Sequence, residues 1–212
     1  TGSGAHFNMS LTSLKTGKNI SGDSGDPRGC GLSKTAYQFL GGIKRHAKAI
    51  VATTCPTVNS YKRLVKTGSM TGYTWAPVFQ CYGGNNRTNT LRIPLGGGRV
   101  EFRAADSACN PYLGAALALA AGLEGIEEDL DPGEPHADNM YEMTAAELQA
   151  SGVEMLPRTL GEALDAVEGD PLARATFGPD MHDAWLALKR QEWLSYLNHV
   201  SDWEKERYLQ FF

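Results

Sequence analysis

Between residues 5 and 11 apolar and polar side chains alternate, with Phe7 and Met9 on one side and His6, Asn8 and Ser10 on the other. That period of two is the mark of a strand with one face in a core. Gly2 and Gly4 stand just before it. Further on, Leu32, Ala36, Phe39, Leu40, Ile43, Ala47 and Ile50 recur at helical spacing, which predicts one amphipathic helix capped by Ser33, with Lys44, Arg45 and Lys48 outside its apolar stripe. Residues 56–64 read on their own as a helix exit and a loop, followed by a glycine-containing stretch over 66–77. Residues 91–95 and 99–103 read as two strands around a turn at Gly96, Gly97 and Gly98. Asn110 and Pro111 make an N-cap and first helical position for a run to Glu127. Later helices are predicted to start near Thr159 and Pro179, the last of them long and rich in Trp and Tyr. Helices packed on strands make the fold α+β or mixed α/β.

Composition sharpens this picture at its edges. A chain of 212 residues with 42% hydrophobic and 21% charged side chains suits one globular domain, or a large part of one, and excludes disordered and collagen-like classes. A net charge of −4 leaves no excess of Lys and Arg to follow a phosphate backbone, so nucleic acid is not an expected partner. The longest apolar stretch, residues 113–123, falls well short of the ~20 residues of a membrane helix, and no membrane partner is expected. The chain begins at Thr1 without a charged and then apolar leader, which predicts that it opens inside a longer protein. Cys30, Cys55, Cys81 and Cys109 have no metal-finger spacing and are read as reduced thiols of a cytosolic protein. Organisation changes near Pro132: residues 1–131 are dense in Gly, Arg and Asn, and residues 132–212 are mostly helix formers, so chemistry is expected in the first part.

Two strands carry most of the candidate chemistry. The polar face of His6, Asn8 and Ser10 is either a solvated strand face or, given the glycines before it, a place where a ligand comes close to the backbone. In the second, Arg99, Glu101 and Arg103 share a face. They form either a solvated strand with cross-strand ion pairs of little individual worth, or a metal-binding carboxylate between two arginines that grip phosphate or carboxylate oxygens. Arg87 and Arg92 lie just upstream, and so many arginines with so few acids point to an anion site. Gly83-Gly84 and Gly96 to Gly98 match neither a P-loop nor a dinucleotide fingerprint. His46, His136, His182 and His199 lack neighbours at ligand spacing and are read as structural or surface residues.

Taken in order, Gly-Ser-Gly-Ala-His6 with Ser10, His46-Ala47, Pro56-Thr-Val-Asn-Ser-Tyr-Lys-Arg63-Leu, Asn86-Arg87 with Arg92-Ile-Pro94, Arg99-Val-Glu101-Phe-Arg103 with Asp106, and Asn110-Pro-Tyr-Leu113 through Gly122-Leu123 resemble the glutamine synthetase family in sequence and spacing. The wording around Thr74-Trp75-Ala76-Pro77 and the ending from Ser195 to Glu204 resemble the type III branch, which includes γ-glutamylmethylamide synthetases. The resemblance implies the C-terminal part of a catalytic domain, antiparallel strands in a partial barrel packed with helices and followed by a helical tail, with a small β-grasp domain upstream. It also implies a cytoplasmic homo-oligomer of stacked rings.

The activity implied is an ATP-dependent ligase that phosphorylates the γ-carboxylate of glutamate and lets ammonia displace the phosphate to give glutamine; methylamine or another small alkylamine is the alternative amine. Mg²⁺ or Mn²⁺ is the implied metal and ATP the co-substrate. By position His6 and Glu101 would ligate the metal. Gly2, Arg63 and Arg103 would hold glutamate, Asn8, Ser10 and Arg99 would contact ATP, and Arg87 and Arg92 would act on the transferring phosphoryl group. Gly72-Tyr-Thr-Trp-Ala-Pro77 lacks the carboxylate that many relatives carry there to deprotonate ammonium, so the amine pocket is expected to differ. A non-catalytic relative that keeps only the fold is the competing reading. Retention of His6, Arg63, Arg87, Arg92, Glu101 and Arg103 speaks against it. A phosphagen kinase, similar in architecture, is set aside because its motifs are missing.

Overall fold

The computed structural model describes residues 3–66 and 75–211. Strands β1 (Phe7–Met9), β2 (Phe79–Gly84), β3 (Asn89–Ile93) and β4 (Val100–Phe102) form one sheet in the order β1-β4-β3-β2. β4 is antiparallel to both β1 and β3, as the turn at Gly96 to Gly98 requires. β2 and β3, by contrast, run parallel, a departure from the all-antiparallel expectation. The link between them, residues 85–88, is short, and it enters on Asn85 in left-handed backbone with φ 50°.

Register decides which side chains meet. Phe7 lies opposite Phe102, Phe102 opposite Leu91 and Leu91 opposite Tyr82, a row of apolar side chains across the whole sheet. The adjacent row is Asn8, Glu101 and Arg92, which alternation puts on the other face. The sheet therefore has a core face and a polar face, and the polar face carries the candidate chemistry.

The single helix predicted from Leu32 to Ile50 is two helices, α1 (Lys34–Arg45) and α2 (Ala47–Thr54), which meet at His46. The His46 N–H turns back to the carbonyls of Gly42 and Lys44 and closes α1, while Ser33 caps its start as expected. Residues 58–61 form a short helix, α3 (Val58–Tyr61), where a loop was expected; a capping box between Thr57 and Ser60 nucleates it. α4 (Pro111–Glu127) begins on Asn110 as predicted. It packs on α1 so closely that a Cβ on Gly42 would collide with the Ala121 carbonyl. α5 (Ala145–Ser151), α6 (Leu160–Glu168), α7 (Pro171–Phe177), α8 (Pro179–Leu197) and α9 (Asp202–Tyr208) follow, the tail being divided by a new cap at Ser201. Among the described residues no helix is long and apolar enough to cross a membrane. Burial pushes the Cys55 and Cys81 thiols up to about 12, so both stay protonated.

His46 explains why the helix breaks where it does. Its Nδ1 lies 2.7 Å from Asp170 Oδ2, and its Nε2 meets the Glu124 carboxylate. Asp170 also caps α7 by accepting from the Leu172 N–H, so one imidazole ties the α1–α2 corner to both α4 and α7. Burial alone would lower the pKa of His46, but the hydrogen bonds and charges of Asp170 and Glu124 outweigh it and hold the pKa above the ordinary value. Only the imidazolium can donate to both carboxylates. A raised folded-state pKa gives stability that is complete below the unfolded value and is lost as pH rises through the folded value. His46→Ala is therefore expected to cost about 3 kcal/mol near pH 6, because it leaves carboxylates unpaired in a low-dielectric site. The difference from wild type should shrink by about pH 9, as read by urea unfolding at both pH values. A difference that does not change with pH would count against this role.

Candidate active site

Glu101 is the hub of the polar face. Val100 and Phe102 on either side of it face the core, and Glu101 itself is only 6% exposed, as is Arg103. The reading of residues 99–103 as a solvated strand is thus overturned. Glu101 Oε2 accepts from Arg92 Nη1 at 2.9 Å and from Arg103 Nη1 at 3.1 Å. Its Oε1 lies 3.0 Å from His6 Nδ1. Burial would favour the neutral acid, yet the hydrogen bonds from Arg92 and Arg103 prevail and keep its pKa below the usual carboxylate range. His6 is shifted down, first by burial and then by the positive charge of Arg103, against the pull of Glu101. Its imidazole is therefore neutral at physiological pH, with a lone pair to offer.

These two donors fit a divalent cation. Two ligands at right angles, each ~2.1 Å from an octahedral ion, sit about 3 Å apart, the separation found between His6 Nδ1 and Glu101 Oε1. Among the described residues no third His, Cys, Asp or Glu joins them, so an ion here would complete its shell with water, phosphate oxygens or groups outside the described residues.

Three arginines surround Glu101 and the start of the chain. Arg63, just after α3, donates through Nη2 to the carbonyls of Ala104 and Ala105, and its Nη1 packs against Gly4, where an added Cβ would be 3.4 Å away. The Nε atoms of Arg63, Arg92 and Arg103 are all buried with no acceptor among the described residues. Arg87 is exposed on the β2–β3 link, and its charge reaches Arg103, lowering that residue's pKa in addition to the larger effect of burial. Asn8 stands opposite Glu101 in the register, and Ser10 and Arg99 are exposed at the ends of β1 and β4. Gly2 and Thr74 lie outside the described residues.

Beside Arg87 a cleft of about 460 Å³ is lined by Trp75, Asn85, Asn86 and Asn139, among others. Trp75 is 47% exposed and holds φ at 53°, an uncommon conformation for a bulky residue and one that clusters at functional sites. Asn86 is fully engaged, donating to the carbonyls of His136 and Asp138 and accepting from Thr88, and so fixes the backbone that carries Arg87. Asn85 was not singled out from the sequence, although an Asn directly after Gly83-Gly84 is a turn signal for left-handed backbone.

Comparison with known proteins gives the family and the fold. The sequence profile of the family described as "Glutamine synthetase, catalytic domain" matches residues 1–208. The chain is 49% identical over 211 residues to a glutamate–methylamine ligase of Methyloversatilis universalis, covering 100% of the chain and 47% of that protein. It is 42% identical over 214 residues to a glutamine synthetase of Halobacterium salinarum, covering 100% of the chain and 45% of that protein. The solved GmaS/ADP complex superposes with a TM-score of 0.86 at 40% identity, over 99% of this chain and 46% of that one. The chain thus spans about half the length of the curated relatives it matches. With the profile matched across almost every residue and the fold shared at that level of identity, the chain belongs to the glutamine synthetase catalytic-domain family.

Proposed function

We propose that this chain supplies the phosphoryl-transfer half of an ATP-dependent ligase that joins the γ-carboxylate of glutamate to an amine, with ammonia as the amine and glutamine as the product. The observation that supports it best is the buried Glu101 held by His6, Arg92 and Arg103 on one polar face of the sheet. In the first step a glutamate γ-carboxylate oxygen attacks the terminal phosphorus of ATP and ADP leaves. In the second the amine attacks the acyl phosphate carbonyl, inorganic phosphate departs and the nitrogen gives up a proton. A divalent ion at His6 and Glu101 would offset phosphate charge. Arg63 and Arg103, together with Gly2, bind glutamate carboxylate oxygens; Asn8, Ser10 and Arg99 contact nucleotide. Arg87 and Arg92 stabilise charge on the phosphoryl group in flight. Residues 1–131 carry this site and residues 132–212 a helical extension, within a cytoplasmic homo-oligomer whose remaining ligands lie outside the described residues. Full-length protein given glutamate, ATP and ammonia should form amide and phosphate in equal amounts; phosphate release without amide would overturn the reading.

A second reading has methylamine in place of ammonia, favoured by Trp75 in the cleft beside Arg87 and by the similarity to a glutamate–methylamine ligase. An indole offers an apolar wall for a methyl group and a π-face worth ~0.5–2 kcal/mol to a cation. Trp75→Glu is then expected to shift the ratio of kcat/KM for methylamine over ammonia roughly tenfold toward ammonia, within the range of that interaction. An enzyme that strongly prefers ammonia, with a ratio unmoved by the substitution, would remove Trp75 from amine selection.

A further inference from the structure

The Arg92 guanidinium is held from two sides. Nη1 donates to Glu101 Oε2 at 2.9 Å, and Nη2 donates to Asn85 Oδ1 at 2.6 Å. Asn85 reaches it from the left-handed turn that opens the β2–β3 link, where its own N–H donates to the Ile93 carbonyl at 2.7 Å, one residue beyond Arg92. The residue that sets the turn is thus bonded to both the backbone and the side chain of the segment carrying Arg92. Asn is one of the few side chains that adopts φ near 50° at little cost. It is also neutral, so it accepts from Arg92 without cancelling any of the arginine's charge.

We infer that Asn85 is a positioning residue for Arg92, one that keeps half of the guanidinium from turning onto Glu101. Planar guanidinium and carboxylate groups favour a bidentate pair with two parallel hydrogen bonds. In such a pair Nη2 of Arg92 would turn from Asn85 onto Glu101 Oε1, the oxygen that faces His6, which would swing the guanidinium off the β2–β3 link and tie up the oxygen that would ligate. The 2.6 Å bond to Asn85 prevents this by giving Nη2 a competing acceptor on the opposite side. Asn85 itself touches no reacting atom in this scheme; it acts through Arg92.

The inference rests on the proposed role of Arg92 in phosphoryl transfer, and the test separates the two. Asn85→Gly keeps the left-handed turn without strain and removes only the acceptor. In the full-length enzyme it should lower kcat about tenfold, leave the glutamate KM and the Tm near wild type, and cost less than about twofold when placed on Arg92→Ala, since residues acting through one another are not additive. Arg92→Gln replaces Arg92→Ala if the latter does not fold. A crystal structure of Asn85→Gly should show Nη2 of Arg92 moved onto Glu101. Full kcat in Asn85→Gly, an equal loss in the Arg92-substituted background, or an Arg92 that keeps its place in the crystal would each overturn the inference. A wild-type enzyme without ligase turnover would refute the proposed function, and the crystal structure would still decide the role of Asn85.

Discussion

Full-length Glu101→Gln is expected to lose at least about a thousandfold in turnover, roughly 4 kcal/mol of barrier, with a steeply raised requirement for Mg²⁺ or Mn²⁺. The geometry gives three reasons that act together. The carboxylate is one of the two side chains proposed to ligate the cation, with no third His, Cys, Asp or Glu beside them among the described residues, and an amide oxygen is a far weaker ligand to a hard ion. The same carboxylate neutralises Arg92 and Arg103 through bonds of 2.9 and 3.1 Å, so removing its charge leaves two guanidinium groups facing each other in a buried site. Finally, His6 exchanges a charged partner for a neutral amide, which orients its ring less firmly. Glu101→Ala should add a stability cost of about 3 kcal/mol or more, as when one member of a buried ion pair is deleted. Glu101→Gln, which keeps the volume, separates chemistry from folding. His6→Ala should share the metal defect without the loss of stability, since its side chain is 40% exposed. Normal metal dependence and normal ATP affinity in both His6→Ala and Glu101→Gln would sink the assignment.

Much of the sheet's polar face could be read from the sequence because strand alternation is a rigid rule. His6, Asn8 and Ser10 fall on one face and Phe7 and Met9 on the other, and burial follows that division residue by residue. The caps at Ser33, Asn110 and Thr159 were legible for the same local reason, since each side chain accepts from N–H groups two or three residues ahead. What was hidden depends on contacts far apart in the chain. Nothing near His46 announces a helix break, because the partners that stabilise it, Glu124 and Asp170, are 78 and 124 residues away. The parallel pairing of β2 with β3 was equally invisible, since a link of only residues 85–88 favours an antiparallel hairpin and no pattern within the strands says otherwise. The placement of Glu101 lay between these cases. Alternation put it on a face with Arg99 and Arg103, but only the fold showed that the face is buried and that Arg92, directly opposite in register, joins it.

Arg87→Ala is expected to lower kcat about a hundredfold, close to 3 kcal/mol, with little change in the glutamate KM. Its surroundings distinguish it from the other arginines. Nη2 of Arg63 is held by the carbonyls of Ala104 and Ala105, and Arg92 and Arg103 share Glu101, whereas no side-chain acceptor among the described residues holds Arg87. An exposed, unclaimed cation contributes little to the fold, so Arg87→Ala should keep the wild-type Tm. Its backbone is nonetheless fixed by Asn86, whose side chain bonds the carbonyls of His136 and Asp138 at 2.9 and 2.8 Å, so the charge is delivered to one place. A charge that is preorganised but unpaired gains most when negative charge builds up in front of it, which happens as the phosphoryl group transfers and not when glutamate binds. Arg87→Lys should recover only part of the loss, because an ammonium keeps the charge but not the planar fork. Steady-state kinetics over glutamate and ATP decide the matter: a variant whose main defect is a raised glutamate KM would move Arg87 into the carboxylate-binding group with Arg63 and Arg103.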